Sequence, residues 1–452
     1  MKEGIKSRFP PVRSGLATLL GFILVAASAP GGTDLPGVRW DKRIEVASGG
    51  GYQGPWRMND SEFHYVDDPA VAIDERGMIA VAWADQSRQD IFFQVYEPTG
   101  GKRFEEPVNI SRSPEVFSWL PRVVLSSSDP GRVYILCQEI VFSGGTHGGE
   151  IFFARSADGG KTFSKPLNLS KTIAGAGKGR LTRDFWHNGS LDVTLGSRGR
   201  IYAAWTEFEG ALRFSRSADG GVSFSEPMRI WNGSDAHPAR GPSLAAGAGG
   251  EVYLAWTVGE DRSADIRFAS SADHGWSFDE PRIVARSEGH ADAPKIAVDA
   301  KGTVHLVYAE SPGGPLERYH IRYARLKAGE GAFEKAREIA GPAGRWESMN
   351  FPGLGLDGGD NLYVIWELFP EPISYPEGLG FTYSRDGGRT FAPPAILPGS
   401  VDPALGASGG RQGLLMRKLA VNADGVIAVA HSTFKKGESS RIWLYRGKGD
   451  WR

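Results

Sequence analysis

The sequence predicts an all-β fold in which one four-stranded antiparallel unit is repeated around a ring. A pair of short apolar strands joined by a Gly/Asp turn occurs seven times, and a third strand with a glycine-rich phrase follows most copies. The chain also contains 61 glycines and 13 tryptophans, which suits tight turns between short aromatic-rich strands. Four short strands per repeat, at this spacing, are typical of the blades of a β-propeller.

The paired strands are the most regular part of the repeat. The first copy reads "PAVAIDERGMIAVAWAD" from Pro69, with an apolar run on each side of a polar turn, which is typical of a β-hairpin. The other copies begin at Pro121, Leu191, Pro242, Pro294, Pro352 and Arg417. We therefore predict seven blades, with six or eight as the alternatives if one copy is misassigned.

The two ends of the repeat array are complementary. The last copy ends at "RIWLYRGKGDWR" without a fourth strand, and a spare strand, "RWDKRIEVAS" at residues 39–48, precedes the first copy. We expect this N-terminal strand to complete the last blade, because that pairing removes an exposed sheet edge and closes the ring.

The first 29 residues differ from the rest of the chain. Basic residues precede the apolar run "GLATLLGFILVAASA", which ends in small residues and is short for a membrane-spanning helix. We predict a signal peptide at residues 1–29, one propeller domain at residues 30–452, and a secreted, periplasmic or cell-surface protein. A net charge of -1 gives no reason to expect nucleic acid as a partner, or a membrane beyond the signal segment.

Four phrases resemble a known motif: "SADGGKTF", "SADGGVSF", "SADHGWSF" and "SRDGGRTF". They are similar to the Asp-box, or BNR repeat, of the sialidase superfamily, whose members are β-propellers. The resemblance implies that each phrase is a structural turn between the third and fourth strands, on the face away from the active site. The aspartates expected to hold these turns are Asp158, Asp219, Asp273 and Asp386.

The same phrases do not resemble a cation site. One carboxylate per loop is a poor cage for calcium, which takes six to eight oxygen ligands. No metal and no cofactor are predicted. The aromatic residue that ends each phrase is expected to pack between blades; these residues are Phe163, Phe224, Phe278 and Phe391.

The opposite face is the candidate functional face, because its loops are long and differ from blade to blade. Polar residues at the ends of first and second strands are expected to converge there on the mouth of the central channel. The candidates are Asp68, Arg122, Glu207, Arg240, Lys295, Glu310 and Arg417, with His187, His237 and His290 at one register and Tyr65, Tyr319 and Tyr375 unassigned in loops. A solvated rim of salt bridges is the alternative interpretation.

The resemblance implies a sialidase-type glycoside hydrolase, with three arginines on a substrate carboxylate, a Tyr–Glu nucleophile and an aspartate acid/base. On this sequence Arg122, Arg240 and Arg417 would bind the carboxylate, with Arg183 as an alternative. Glu207 or Glu310 would activate a tyrosine or water, and Asp68 would be the acid. The family's F/Y-R-I-P motif is absent from the first blade, which reads "VDDPAVA"; the nearest match is "ARGPSLA" in the fourth.

Two other functions remain open. In a uronate polysaccharide lyase, His187 or His237 would abstract the proton next to the carboxyl group. A non-catalytic propeller would bind a glycan or a protein through the same face, since a fold does not determine a function. The partner predicted first is an acidic glycan or glycoconjugate, with another protein as the alternative.

Overall fold

The computed structural model describes residues 37–449, except 58, 114–115, 141–148, 172–179, 182–185, 188–189, 208–209, 235–236, 286, 288 and 410–416. Side chains are not described at residues 180–181, 186–187 and 285. The signal peptide predicted at residues 1–29 lies outside the described part. No helix within the described part is long and apolar enough to cross a membrane.

The described strands form a seven-bladed propeller of four-stranded antiparallel blades, as predicted. In the first three blades the strands, from the axis outward, are Val66–Ile73, Ile79–Asp85, Asp90–Tyr96 and Val108–Asn109; Ser118–Leu125, Val133–Glu139, Glu150–Ser156 and Leu167–Asn168; and Leu191–Leu195, Ile201–Thr206, Leu212–Ser217 and Met228–Trp231. In the next three they are Ala239–Ala246, Val252–Val258, Asp265–Ser271 and Arg282–Ala285; His290–Val298, Val304–Ser311, His320–Leu326 and Arg337–Ala340; and Ser348–Leu356, Leu362–Phe369, Leu379–Ser384 and Ala395–Ile396.

The seventh blade is built from both ends of the repeat array. Leu419–Val421, Val426–Lys435 and Ser439–Gly449 supply its first three strands, and Ile44–Gly49 pairs with the third as the outer strand. The predicted closure by the N-terminal strand is confirmed. Val38–Trp40 and Ala407–Ser408 extend this sheet.

A few short elements lie outside the blades. Within the described residues, two hairpins and two 3-10 helices connect blades or strands: Tyr52–Gln53 with Phe63–His64, Arg180–Leu181 with Trp186–His187, Ser197–Gly199 and Pro403–Leu405.

The hydrophobic core lies between neighbouring blades. The second strands of blades 1, 3, 4 and 6 carry a tryptophan at a matched position, and three of these, Trp205, Trp256 and Trp366, are fully buried. Trp256 of blade 4 belongs to one cluster with Tyr202 and Phe214 of blade 3. Each blade thus buries its faces against its neighbours, which is how a ring of small sheets gains a continuous core.

A bulge before a proline recurs in the first strands. In blades 1, 4, 5 and 6 the pairing register between the first and second strands shifts at this point, and the residue before each proline has a left-handed backbone. The left-handed residues, with blade 2 included, are Asp68, Leu120, Gly241, Ala293 and Phe351. Proline donates no ladder hydrogen bond and is tolerated at a bulge. The bulge changes the direction of the side chains on either side of it, which decides the geometry of the candidate site.

The four repeated aspartate turns share one hydrogen-bond pattern. In the second of them Asp219 accepts from the Ser217 hydroxyl (2.8 Å), the Ser223 hydroxyl (2.6 Å) and the backbone N–H of Ser223 (3.0 Å). Asp158, Asp273 and Asp386 repeat these contacts. Burial alone would raise the pKa of Asp219, but these hydrogen bonds outweigh it and lower the pKa to about 2.

The aromatic residue of each turn packs on the preceding blade. Phe224 meets Phe153 edge-on at 4.8 Å between ring centroids, and Phe278 meets Phe214 at 4.9 Å. Two of the turns also bond to the first-to-second strand turn of their own blade, from Gly159 N–H to the Gly131 carbonyl (2.8 Å) and from His274 N–H to the Gly250 carbonyl (3.0 Å). The turns therefore join blades on the face opposite the long loops.

Replacing Asp219 by alanine is expected to lower the free energy of unfolding by about 1–2 kcal/mol, because several hydrogen bonds are lost in a partly exposed turn. The effect depends on pH. The depressed carboxyl stabilises the fold fully above its unfolded pKa of 3.8, and that contribution is lost as pH falls through about 2. Denaturant unfolding of both proteins at neutral and acid pH checks this; a difference that does not shrink in acid would contradict it.

Candidate functional site

The proline bulge sends first-strand residues to two different places. The residue just after the proline faces the central channel in blades 4, 5 and 6, namely Ser243, Lys295 and Gly353. The residue two before the proline lines a separate pocket between the same blades, namely Arg240, Asp292 and Asn350. The expected convergence of all first-strand charges on one channel mouth is therefore wrong, because the bulge separates Arg240 from the channel residues.

The channel holds a compact group of charges. Arg417 pairs with Asp192 at 3.1 Å, and the other carboxylate oxygen of Asp192 accepts the Leu244 N–H at 2.8 Å. Burial together with Arg122, Arg417 and Lys418 lowers the pKa of Lys295 to about 7, against the opposing effect of Asp192. These contacts tie blades 3, 4, 5 and 7 together along the axis.

Two predicted site residues lie deep in this ring. Arg122 is 3% exposed and donates to the Pro121 carbonyl at 3.0 Å, and burial lowers its pKa to about 10. Asp68 is fully buried and interacts electrostatically with Arg122. Their burial among neighbouring strands suits a structural role more than contact with a glycan.

The pocket between blades 4, 5 and 6 is open to the face of the long loops. It encloses roughly 470 Å³. Its polar wall contains Arg240, Glu260, His290, Tyr319 and Asn350. Its apolar rim includes Leu316, Phe351, Phe369 and Ile373, of which Leu316 and Ile373 are strongly exposed.

Three side chains in this pocket are in direct contact. Nδ1 of His290 lies 2.8 Å from the Tyr319 hydroxyl, and Nε2 of His290 lies 3.3 Å from Nη2 of Arg240. A guanidinium only donates, so Nε2 accepts and the proton of neutral His290 resides on Nδ1. The histidine therefore donates to the tyrosine oxygen, and the tyrosine keeps its own hydroxyl proton for another acceptor.

The protonation states follow from burial and charge. Burial lowers the pKa of His290, with Asp292 opposing and Arg240 reinforcing the shift, so the ring is neutral near pH 7. Burial and Asp292 raise the pKa of Tyr319 above 10, while Arg240 and the Leu316 N–H oppose the shift. The pocket holds a neutral imidazole and a protonated phenol in contact, which are a base and an acid.

Neighbouring strands hold each member of the group in place. Asp292 pairs with Arg240 at 3.1 Å and accepts from the Thr257 hydroxyl at 2.9 Å. The Tyr319 backbone N–H donates to the Ser348 hydroxyl at 3.0 Å. Leu316, whose N–H faces the tyrosine, has a left-handed backbone with φ of 65°. Blades 4, 5 and 6 thus fix the histidine, tyrosine and arginine together.

The remaining predicted residues lie elsewhere. Glu207 pairs with Arg213 at 3.0 Å, and Glu310 pairs with Arg322 at 2.7 Å, each within its own blade. His237 is exposed. The side chain of His187 and all of Arg183 fall outside the described residues.

His290 and Tyr319 carry the site, although the sequence assigned no role to either. His290 stands two residues before Asp292 on one strand, so both side chains point to the same side, and Asp292 matches Arg240 in the repeat alignment. That register was a usable signal for the histidine. Tyr319 lies at the end of a long loop, and strand periodicity does not predict that its hydroxyl contacts His290.

Among the described residues, no three His, Cys, Asp or Glu side chains are grouped as metal ligands.

Comparisons with known proteins agree on the fold. No protein-family model matches the chain, and no curated protein matches it significantly in sequence. The solved structure of polysaccharide lyase Uly1 is similar, with a TM-score of 0.56 at 12% identity over 91% of this chain and 100% of that chain. A PL25 ulvan lyase gives 0.52 at 14% identity over 89% and 95%. At such identities the likeness shows the propeller fold and not the sialidase activity that the motif resemblance implied.

Proposed function

We propose that this protein is a polysaccharide lyase that cleaves a uronate-containing glycan in the pocket between blades 4, 5 and 6. The observation that carries the proposal is the 2.8 Å contact between His290 and Tyr319 beside Arg240. An eliminating enzyme needs a group that neutralises the carboxylate, a base and an acid, and this pocket contains all three. The two similar structures described above are both polysaccharide lyases, which supports the same choice.

Arg240 is the group that binds the substrate carboxylate. A guanidinium can bind a carboxylate through two parallel hydrogen bonds. The side-chain oxygen Oδ1 of Asn350 accepts the Phe351 N–H at 2.7 Å, which leaves the side-chain nitrogen Nδ2 as a second donor. Neutralising the carboxylate makes the hydrogen on the adjacent C5 carbon more acidic, because negative charge develops on the carboxyl group as that hydrogen leaves.

His290 is the base and Tyr319 the acid. When the substrate carboxylate binds Arg240, the long 3.3 Å hydrogen bond between Nη2 of Arg240 and Nε2 of His290 breaks. The lone pair on Nε2 is then available to accept a proton. The C5–H bond breaks and its proton moves to His290, a C4=C5 double bond forms, and the bond from C4 to the glycosidic oxygen breaks. The leaving oxygen takes the hydroxyl proton of Tyr319.

The contact between the two residues also returns the proton. After elimination, an imidazolium faces a phenolate across 2.8 Å. Transfer of the Nδ1 proton to the tyrosine oxygen restores a neutral pair, and exchange with solvent restores the histidine tautomer. The reaction consumes no water, unlike the hydrolysis performed by a sialidase.

The pH profile should reflect the two shifted groups. Because burial lowers the pKa of His290, the base stays neutral below its ordinary 6.5, and the rate should fall only as pH drops through that lowered value. Because burial raises the pKa of Tyr319, the acid is lost only above 10. Initial rates across pH check this; an acid limb centred well above 6.5 would contradict the assignment of His290.

The proposed reaction is tested with the purified protein and a set of uronate-containing and sialylated polysaccharides. We expect uronate glycans to give products whose new double bond absorbs ultraviolet light. Release of free sialic acid would instead support the sialidase-type hydrolase. Binding without cleavage would support the non-catalytic propeller, which uses the same face. Arg240→Ala, which removes the carboxylate ligand, should abolish cleavage.

A polysaccharide substrate fits the proposal that residues 1–29 direct export, because uronate-containing polysaccharides lie outside the cell. A fusion of residues 1–40 to a reporter enzyme tests that part separately.

A further inference from the structure

We infer that a second sugar-binding subsite adjoins the candidate active site, with Tyr375 as its stacking surface. A second pocket of roughly 360 Å³ lies between blades 6 and 7, and Ser374 lines both pockets. The two therefore form one continuous groove on the functional face. This inference rests on the proposed function, because its ligand is a further unit of the same glycan chain.

Tyr375 has the properties of a sugar platform. Its side chain is 60% exposed. It stands two residues after Ile373, which is also exposed and lies at the edge of the first pocket. Its loop is held from both sides: the Ser374 hydroxyl donates to the Glu371 carbonyl at 2.7 Å, and the Ser408 N–H donates to the Pro376 carbonyl at 2.7 Å. A large aromatic face on a fixed loop can stack on the C–H face of a pyranose at little entropic cost.

Both segments that line the second pocket supply hydrogen-bond acceptors. Asp402 is fixed by Arg43 at 3.0 Å and by the Ala404 N–H at 3.1 Å, and Glu377 is paired with Arg345 at 2.9 Å. Both carboxylates are partly exposed and retain oxygen lone pairs for sugar hydroxyls. The described residues that line this pocket include these two carboxylates and no lysine or arginine, so the subsite favours a neutral sugar over a second anionic one.

The two pockets together specify a substrate class. The first binds a uronate through Arg240, and the second takes a neutral pyranose stacked on Tyr375. The groove thus fits a heteropolymer in which uronate and neutral sugars are neighbours, and it is less suited to a polymer made of uronate alone.

Binding is measured by calorimetry in the Tyr319→Phe background, which removes the proposed acid so that the glycan stays intact. The probe is a polysaccharide of alternating uronate and sulfated sugar, before and after chemical desulfation. We expect Tyr375→Ala to weaken binding of the desulfated polymer about tenfold, the size expected for loss of one stacking contact. Tyr375→Phe, which keeps the ring, should bind normally.

Trp276→Ala is the matched control, because Trp276 is 69% exposed but lies on the aspartate-turn face. It should bind as tightly as the parent. Equal binding by the Tyr375→Ala and parent proteins would overturn the subsite and leave the proposed function standing. Tighter binding of the sulfated polymer would overturn the neutral-sugar assignment. No binding and no cleavage by the unmutated protein would contradict the proposed function itself.

Discussion

The Tyr319→Phe protein is expected to lose elimination activity by about 10²–10⁴-fold, the usual contribution of a positioned general acid or base. The substitution removes one hydroxyl, which lies 2.8 Å from His290 and which would donate the proton to the leaving oxygen in the proposed reaction. The ring and its packing remain, so the fold is preserved. Initial rates on a cleavable uronate glycan, followed by the ultraviolet absorbance of the product, measure the effect.

The chain offers a matched control for this substitution. Tyr323, on the same blade, makes an equivalent 2.8 Å contact from its hydroxyl to Nδ1 of His305, but packs against Phe391 of an aspartate turn on the other face. Tyr323→Phe removes the same atom from the same kind of pair and should leave the rate unchanged. Equal elimination rates for the Tyr319→Phe and Tyr323→Phe proteins would contradict the role assigned to Tyr319.

The Glu367→Ala protein is expected to lose about 3–5 kcal/mol of unfolding free energy, because it leaves a buried lysine without its partner. Lys418 and Glu367 are 2.6 Å apart with 1% of each side chain exposed, and they connect blade 7 to blade 6 beside the channel. Chemical denaturation measures the loss.

Two further proteins separate burial from pairing. Glu438→Ala breaks a pair of similar length, 2.7 Å to Lys435, on the exposed surface, where about 0–1 kcal/mol is expected. Replacing both buried partners, Glu367→Leu with Lys418→Met, should recover most of the stability, because no charge is left unpaired. A Glu367→Ala protein as stable as Glu438→Ala would show that the buried pair does not hold the ring closed.

The repeat made most of the fold predictable. Hairpins that recur at one spacing indicate blades, and the missing fourth strand at the end of the array pointed to closure by residues 39–48, within which most of the observed strand Ile44–Gly49 lies. These features depend on local sequence patterns and on the need to pair an exposed strand edge, so they can be predicted from the sequence alone.

The site was less predictable because it depends on geometry that periodicity does not encode. Strand alternation placed Arg240 and Lys295 together, but the bulge at Gly241 and Ala293 turned them toward different cavities. Tyr319 reaches His290 only because the loop before it is folded over the pocket with Leu316 in a left-handed conformation. The histidine was visible as a candidate, whereas its partner required the folded loop.

The proposed function requires that the pocket perform elimination rather than hydrolysis, and oxygen from water distinguishes the two reactions. We propose to digest a uronate-containing polysaccharide in water enriched in heavy oxygen and to weigh the products by mass spectrometry. For an elimination we expect fragments with an unsaturated end that are lighter than the hydrolysis products by one water and carry no heavy oxygen at that end. Saturated fragments that carry one heavy oxygen per cleaved bond, at the new reducing end, would contradict the proposed elimination and support a hydrolase.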